Sequence, residues 1–181
     1  MERGRAQLDS QPAPEAAVLC GIQGAGKSTF YIARFFQTHV RISQDLLRTP
    51  NRMQRMLDLC LETRQPFAVD RVNATPEDRR PFVEAARAAG FMVAAYWVDA
   101  PPGVAIERNA ARAGRARVPV KAVLGSHRRL VAPAPEEGFD AVWHVRADGA
   151  GGFTVTPIGA REPGPAGPAE AGADPDGLRL F

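Results

Sequence analysis

Short apolar runs alternate with amphipathic stretches between residues 15 and 145. The apolar runs have the length of buried strands, and in the stretches between them apolar positions recur at helical spacing. The predicted strands are 16–21, 40–43, 67–70, 91–98 and 141–145, with a further strand at 153–156 after the glycine turn at 149–152. The predicted helices are 28–37, 52–64, 76–89, 102–113 and 120–131. Strands and helices in this alternation predict an α/β fold with a parallel sheet and helices on both faces.

Both ends of the chain lack this pattern. Residues 1–14 are polar and show no periodicity, and residues 159–181 are rich in Gly, Pro and Ala. Segments with so little apolar material do not build a packed core. We therefore predict a disordered leader over 1–14, one folded domain over 15–158 and a disordered tail over 159–181.

Composition narrows the class of protein. Of the 181 residues 45% are hydrophobic, which suffices for one core. No apolar run reaches the roughly 18 residues of a membrane span. Cys20 and Cys60 are too few for a disulfide framework. We expect a protein of the reducing cytoplasm with no membrane partner.

The first predicted strand runs into a glycine-rich turn that opens a helix. The turn GIQGAGKST matches the phosphate-binding pattern G-x-x-x-x-G-K-[ST] in the strand–turn–helix context that the pattern requires. Its glycines let backbone N–H groups surround phosphate oxygens at a helix N-terminus. The predicted nucleotide contacts are Gly21, Gly24, Gly26, Lys27, Ser28 and Thr29. Lys27 would reach the β- and γ-phosphates of ATP, and the Ser28 hydroxyl would bind Mg²⁺.

Two carboxylates follow other predicted strands. Asp70 ends the strand FAVD, at the position where a carboxylate that binds Mg²⁺ is expected. The next residue is Arg71, whereas an ATP-driven motor usually has an acid there that activates water. This difference argues against a motor. Asp45 follows the second strand, at the edge of the sheet where the loop lies, and can accept a proton from an attacking hydroxyl. Arg48 follows three residues later and is placed to hold a phosphate of the acceptor. Capping of a strand end or turn is the alternative role of either acid.

Charge is distributed unevenly. The net charge is only +3, yet the segment 104–130 holds seven basic residues against Glu107 and is net +6. An arginine-dense segment interrupted by Gly114 is typical of a mobile lid over phosphates, and a solvated basic helix face is the alternative. A second basic group, beside Asp45, can follow the phosphates of an acceptor. Its members are Arg41, Arg48, Arg52 and Arg55.

Together these motifs resemble the kinase domain of the phage and animal 5′-hydroxyl polynucleotide kinases, over residues 18–145. The resemblance rests on GIQGAGKST, SQD ending at Asp45, DRVN at 70–73, the lid RNAARAGRARVP at 108–119 and EEGFDAV at 136–142. Family members have NRD in place of SQD and DNTN in place of DRVN. The resemblance implies a P-loop NTPase kinase fold in which Asp45 is the general base. It also implies that Arg48 contacts the phosphate beside the acceptor hydroxyl and that Arg112 and Arg108 are lid arginines.

We therefore expect an ATP-dependent kinase with Mg²⁺ as cofactor, Asp70 and Ser28 as metal ligands, and the 5′-OH end of RNA or DNA as acceptor in nucleic acid repair. A kinase for a sugar, antibiotic or nucleotide shares the same loop, carboxylate and lid and is the alternative. A non-enzymatic, nucleotide-dependent regulatory module is a third hypothesis. The C-terminal Leu178–Phe181 resembles QLxLF peptides that dock on the bacterial sliding clamp, with Gly177 in the place of Gln, and implies that partner.

Overall fold

Six strands form a single sheet in the computed structural model, which describes residues 12–114 and 117–159. The strands are β1 (Glu15–Cys20), β2 (Val40–Ser43), β3 (Phe67–Asp70), β4 (Met92–Val98), β5 (Ala141–Ala147) and β6 (Phe153–Pro157). Their spatial order is β2-β3-β1-β4-β5-β6. The first five are parallel and β6 pairs antiparallel with β5. The predicted α/β fold is therefore confirmed, with an antiparallel strand at one edge.

Helices cover both faces of this sheet, as predicted. They are α1 (Lys27–Arg34), α2 (Gln44–Leu47), α3 (Pro50–Glu62), α4 (Pro76–Ala88), α5 (Pro102–Ala110) and α6 (Val120–Arg129). Strand β1 alternates between two apolar clusters, with Val18 packed among residues of α3 and α4 and Leu19 among residues of α1, α5 and α6. Because strand residues alternate in direction, one central strand supplies both halves of the core.

Two helices end three residues earlier than predicted, for local reasons. After α1 the N–H groups of Thr38 and His39 both bond to the Phe35 carbonyl, which turns the chain into β2. In the last turn of α5 the buried Asn109 amide donates to the Val118 carbonyl at 2.7 Å and accepts from the Val118 N–H at 3.0 Å. This pair of bonds closes the base of the arginine-rich segment.

The start of α4 is held by a capping box. The Thr75 hydroxyl accepts from the Asp78 N–H at 3.3 Å, and the Asp78 carboxylate accepts from the Thr75 N–H at 3.3 Å. Pro76 takes the first helical position, where its missing N–H costs nothing. A Thr at the cap, a Pro at the first helical position and acids in the first turn form a helix start that neighbouring residues encode.

A buried ion pair ties α4 to the segment before β5. Arg79 has no exposed surface, and its Nε and Nη2 donate to the two carboxylate oxygens of Glu137 at 2.7 and 2.6 Å. Its Nη1 donates to the carbonyls of Asn73 and Val131. Glu137 belongs to the EEGFDAV stretch, and the contact shows that this acid supports the fold.

Several predictions concern residues beyond those described. Most of the leader 1–14 and of the tail 159–181, the lid residue Arg115 and the clamp motif Leu178–Phe181 lie outside the described residues. The domain boundaries therefore stay predictions. Among the described helices, none combines the length and the apolar character needed to cross a membrane.

Candidate functional site

The phosphate-binding loop joins β1 to α1 at the carboxyl edge of the sheet. Gly21, Gly24 and Gly26 all have positive φ, at +145°, +83° and +112°. A Cβ atom on Gly24 would overlap the backbone carbonyl of Ala105 in α5, and one on Gly21 would overlap that of Val98 in β4. The loop therefore requires glycine at both positions, for its backbone conformation and for its close packing. Gly21 is thus a structural residue of the loop.

The Lys27 side chain bonds to the backbone of its own loop. Its Nζ donates to the carbonyls of Gly21 at 2.7 Å and Ile22 at 3.0 Å. Burial lowers the pKa of Lys27 from 10.5 to about 8, with the Arg112 charge acting in the same direction and the Asp70 charge against it. A phosphate oxygen would replace these carbonyl partners with a negative charge and restore the protonated form.

A cleft of about 510 Å³ opens above the loop and gathers the predicted catalytic groups. Its walls include Lys27, Ser28, Asp45, Asp70 and Arg112. These five residues come from the loop, from α2, from the end of β3 and from the lid segment. Parallel strands bring their carboxyl ends to one edge of the sheet, which is why residues so far apart in sequence line one cleft.

A second cleft of about 450 Å³ continues from the first across Gly24, Gly26 and Arg112. It adds Thr29 and Arg108 from the predicted nucleotide contacts. Its far wall is the hairpin between β5 and β6, with the glycines of 149–152 and the ring of Phe153. From the sequence, that glycine turn is predicted only to connect two strands. Because it follows a strand at the carboxyl edge of the sheet, its position already indicates that it can contribute to the site.

Ser28 and Asp70 adjoin one another, as the metal prediction requires. The Ser28 hydroxyl donates to Asp70 Oδ2 at 3.4 Å, and Asp70 is 8% exposed. Hydroxyl and carboxylate oxygens are ligands that Mg²⁺ accepts, usually together with phosphate oxygens and waters. The donor set of these two residues therefore fits the metal.

Arg41 bonds to the two predicted metal ligands, a contact that the sequence does not indicate. Its Nε donates to Asp70 Oδ2 at 2.9 Å, and its Nη2 donates to Ser28 Oγ at 2.6 Å and also to Asp70 Oδ2. The sequence predicts that Arg41 belongs to the arginines of an acceptor path. In the structure its guanidinium instead bonds to Ser28 and Asp70, the predicted metal ligands. Residue type and spacing carry no signal for such a contact.

Arg48 ends α2 in the left-handed conformation, with φ +67°, and its side chain is exposed. It does not line the cleft that contains Asp45. Arg52 and Arg55 are likewise exposed on α3. The contact of Arg48 with an acceptor phosphate therefore stays a prediction.

A third cavity, of about 250 Å³, lies between α3 and α4. It adjoins the main cleft at Gln44 and Arg71, whose side chains bond to each other at 3.1 Å. Its apolar floor consists of Met53, Leu57 and Phe82. No sequence pattern indicates this cavity, because its lining residues form no motif and come together only when α3 and α4 pack.

Comparisons with known proteins agree with this architecture. A family model described as an AAA domain matches residues 37–134, more than half of the chain. A gluconokinase from Sinorhizobium meliloti 1021 superposes with a TM-score of 0.51 at 20% identity, over 76% of this chain and 85% of that chain. A fungal RNA kinase gives 0.56 at 16% identity, over 75% and 38%. A sugar kinase from Janibacter sp. HTCC2649 gives 0.54 at 18%, over 74% and 86%. At these identities the likeness shows the fold, which is that of P-loop kinases.

Proposed function

The chain belongs to the AAA domain family, and from that premise we propose that it transfers the γ-phosphate of ATP to a hydroxyl group. One observation carries the proposal: a single cleft is lined by the phosphate-loop lysine Lys27, the carboxylate of Asp45 and the lid arginine Arg112. A nucleotide-binding regulatory module would not need a carboxylate at that place. The position of Asp45 therefore favours catalysis.

The donor nucleotide would span the two connected clefts. Loop N–H groups and Lys27 bind its phosphates at the N-terminus of α1, where the helix dipole favours negative charge. Its base and ribose would lie in the second cleft, between Arg108 and the Phe153 hairpin. The ring of Phe153 is fixed from behind by Phe30, with ring centroids 5.2 Å apart. This arrangement supports ATP as the donor.

Transfer would need one proton acceptor and charge stabilisation. Asp45 takes the proton of the acceptor hydroxyl while that oxygen bonds to the γ-phosphorus, and the bond from the γ-phosphorus to the bridging oxygen breaks to release ADP. Arg112 and Lys27 stabilise the charge on the transferred phosphoryl group. A bound Mg²⁺ ion, held by Ser28 and Asp70, would neutralise the phosphate charge.

For the acceptor we propose the 5′-OH end of RNA or DNA. The third cavity continues from Gln44, next to Asp45, and its floor of Met53, Leu57 and Phe82 suits the planar face of a base. Sugar kinases nevertheless share the fold, so a sugar is the competing acceptor.

Labelled ATP separates these acceptors directly. The protein is incubated with γ-labelled ATP, Mg²⁺ and either 5′-OH oligonucleotides or a panel of sugars and nucleosides. We expect labelled oligonucleotides, a loss of transfer of at least about 10²-fold in Asp45→Asn, and little change in the control Glu62→Gln on the exposed side of α3. Transfer to a sugar without oligonucleotide labelling would refute the acceptor. Unchanged turnover in Asp45→Asn would refute the base.

The third cavity can be tested by filling it. Gln54 lines the cavity and is exposed, whereas Glu62 is exposed on the same helix and lies outside the cavity. Gln54→Trp should raise the KM for the oligonucleotide without changing nucleotide affinity, and Glu62→Trp should do neither. Equal KM values in the two variants would show that the base binds elsewhere.

A further inference from the structure

Arg41 reaches the site across a small residue of the neighbouring strand. Strand β2 lies at the edge of the sheet, and Arg41 pairs in register with Ala68 of β3. Ala68 and Asp70 are two positions apart and face the same side of the sheet. Because Ala68 carries only a methyl group, the arginine side chain can lie across β3 toward the carboxylate.

The guanidinium is held from two sides. Its central carbon lies 5.2 Å from the ring centroid of Tyr31 on α1. The ring is itself anchored, since the Tyr31 hydroxyl donates to the His39 carbonyl at 2.7 Å. On the other side are the bonds to Ser28 and Asp70, and only 24% of the Arg41 side chain is exposed. These contacts hold the charge of Arg41 in one place, whereas the arginines of α3 have exposed side chains.

The contacts of Arg41 compete with those of a metal ion. Asp70 Oδ2 accepts from two guanidinium nitrogens and from Ser28, and Ser28 Oγ accepts from Arg41. A divalent cation bound by Ser28 and Asp70 would lie close to this guanidinium, and the two positive charges would repel each other. The cation and Arg41 cannot both keep full contact with Ser28 and Asp70.

We propose that the Arg41 guanidinium competes with Mg²⁺ for Ser28 and Asp70. It holds these two residues together when no metal is bound and would give way to a metal that binds together with a nucleotide, whose phosphates offer the guanidinium new partners. Metal binding before nucleotide is accordingly weak. This inference rests on the proposed function only in the assignment of Ser28 and Asp70 as metal ligands.

The test uses Mn²⁺ alone, with the full chain and no nucleotide, and reads free Mn²⁺ by electron paramagnetic resonance. Arg41→Met keeps an apolar stem against Tyr31 and removes the charge, and we expect about tenfold tighter Mn²⁺ binding. Arg41→Lys keeps the positive charge but not the several N–H donors of the guanidinium, so its Mn²⁺ affinity should lie between those of the wild type and Arg41→Met. Arg34→Met, at the exposed end of α1, is the matched control and should equal the wild type. Asp70→Asn should lose Mn²⁺ binding with either residue at position 41.

Mn²⁺ affinities within twofold in the wild type and Arg41→Met would overturn the proposal, as would weaker binding in the variant. Thermal unfolding provides a second measurement. Mn²⁺ alone should raise the unfolding temperature clearly in Arg41→Met and only slightly in the wild type, and equal shifts in the two proteins would contradict competition. Because no phosphate transfer is measured, the result is independent of whether the proposed acceptor is correct.

Discussion

We expect Lys27 to make nucleotide affinity depend on pH in a range that is unusual for lysine. Burial lowers its pKa from 10.5 to about 8. The phosphate of a bound nucleotide opposes that shift, so Lys27 stays protonated in the complex. Binding above pH 8 must then take up a proton, and affinity falls as the pH rises.

The expected size of this effect follows from the pKa. With a pKa of about 8 in the free protein, the dissociation constant rises by about 25-fold between pH 7.5 and 9.5, or about 1.9 kcal/mol. A lysine with its ordinary pKa of about 10.4 would give a change of only about 1.1-fold over the same range. The two cases are easily distinguished.

Isothermal titration of ADP into the protein at half-unit pH steps measures the effect. The lowest pH is set at 7.5 so that the phosphates of the ligand do not titrate. In Lys27→Met, affinity should be weaker at pH 7.5 and nearly independent of pH. In Lys27→Arg the guanidinium does not titrate, so the profile should also be flat. A wild-type change below about threefold would refute the lowered pKa, and an equal pH dependence in Lys27→Met would assign the effect to another group.

Four further predictions concern the fold, the phosphate-binding loop and the lid. Glu137→Ala should lower the free energy of unfolding by about 3–5 kcal/mol because it leaves the buried guanidinium of Arg79 without its carboxylate. The control Glu136→Ala, at an exposed position, should change it by less than about 0.5 kcal/mol. Similar urea midpoints for the two variants would contradict this prediction. Gly24→Ala should abolish ADP binding in titration calorimetry, because its Cβ overlaps α5, and retained binding would show that the loop can move aside. Gly125→Ala, with open space in α6, should instead raise the free energy of unfolding by about 0.5–1 kcal/mol. Arg112→Ala should lower kcat by about 10²–10³-fold with little change in ADP affinity, and an effect on affinity alone would assign Arg112 to binding.

The sequence by itself determined the features that depend on local pattern. Alternating strands and helices and the loop Gly21–Thr29 are each encoded within a few neighbouring residues. The positions of Asp45 and Asp70 also followed, because in a parallel sheet the residue after a strand lies at the carboxyl edge. Local periodicity and sheet topology were sufficient for the main cleft.

Only the tertiary structure decided which distant residues meet. Arg41 lies 29 positions from Asp70, and Arg79 lies 58 positions from Glu137, and no motif links either pair. The Phe153 hairpin and the apolar cavity between α3 and α4 likewise arise where separate elements pack. From the sequence alone, an arginine on an edge strand is expected to be a surface charge. The sheet register shows that its small neighbour Ala68 lets Arg41 reach Ser28 and Asp70, the predicted metal ligands. Such contacts depend on register and packing across elements, which the local pattern does not contain.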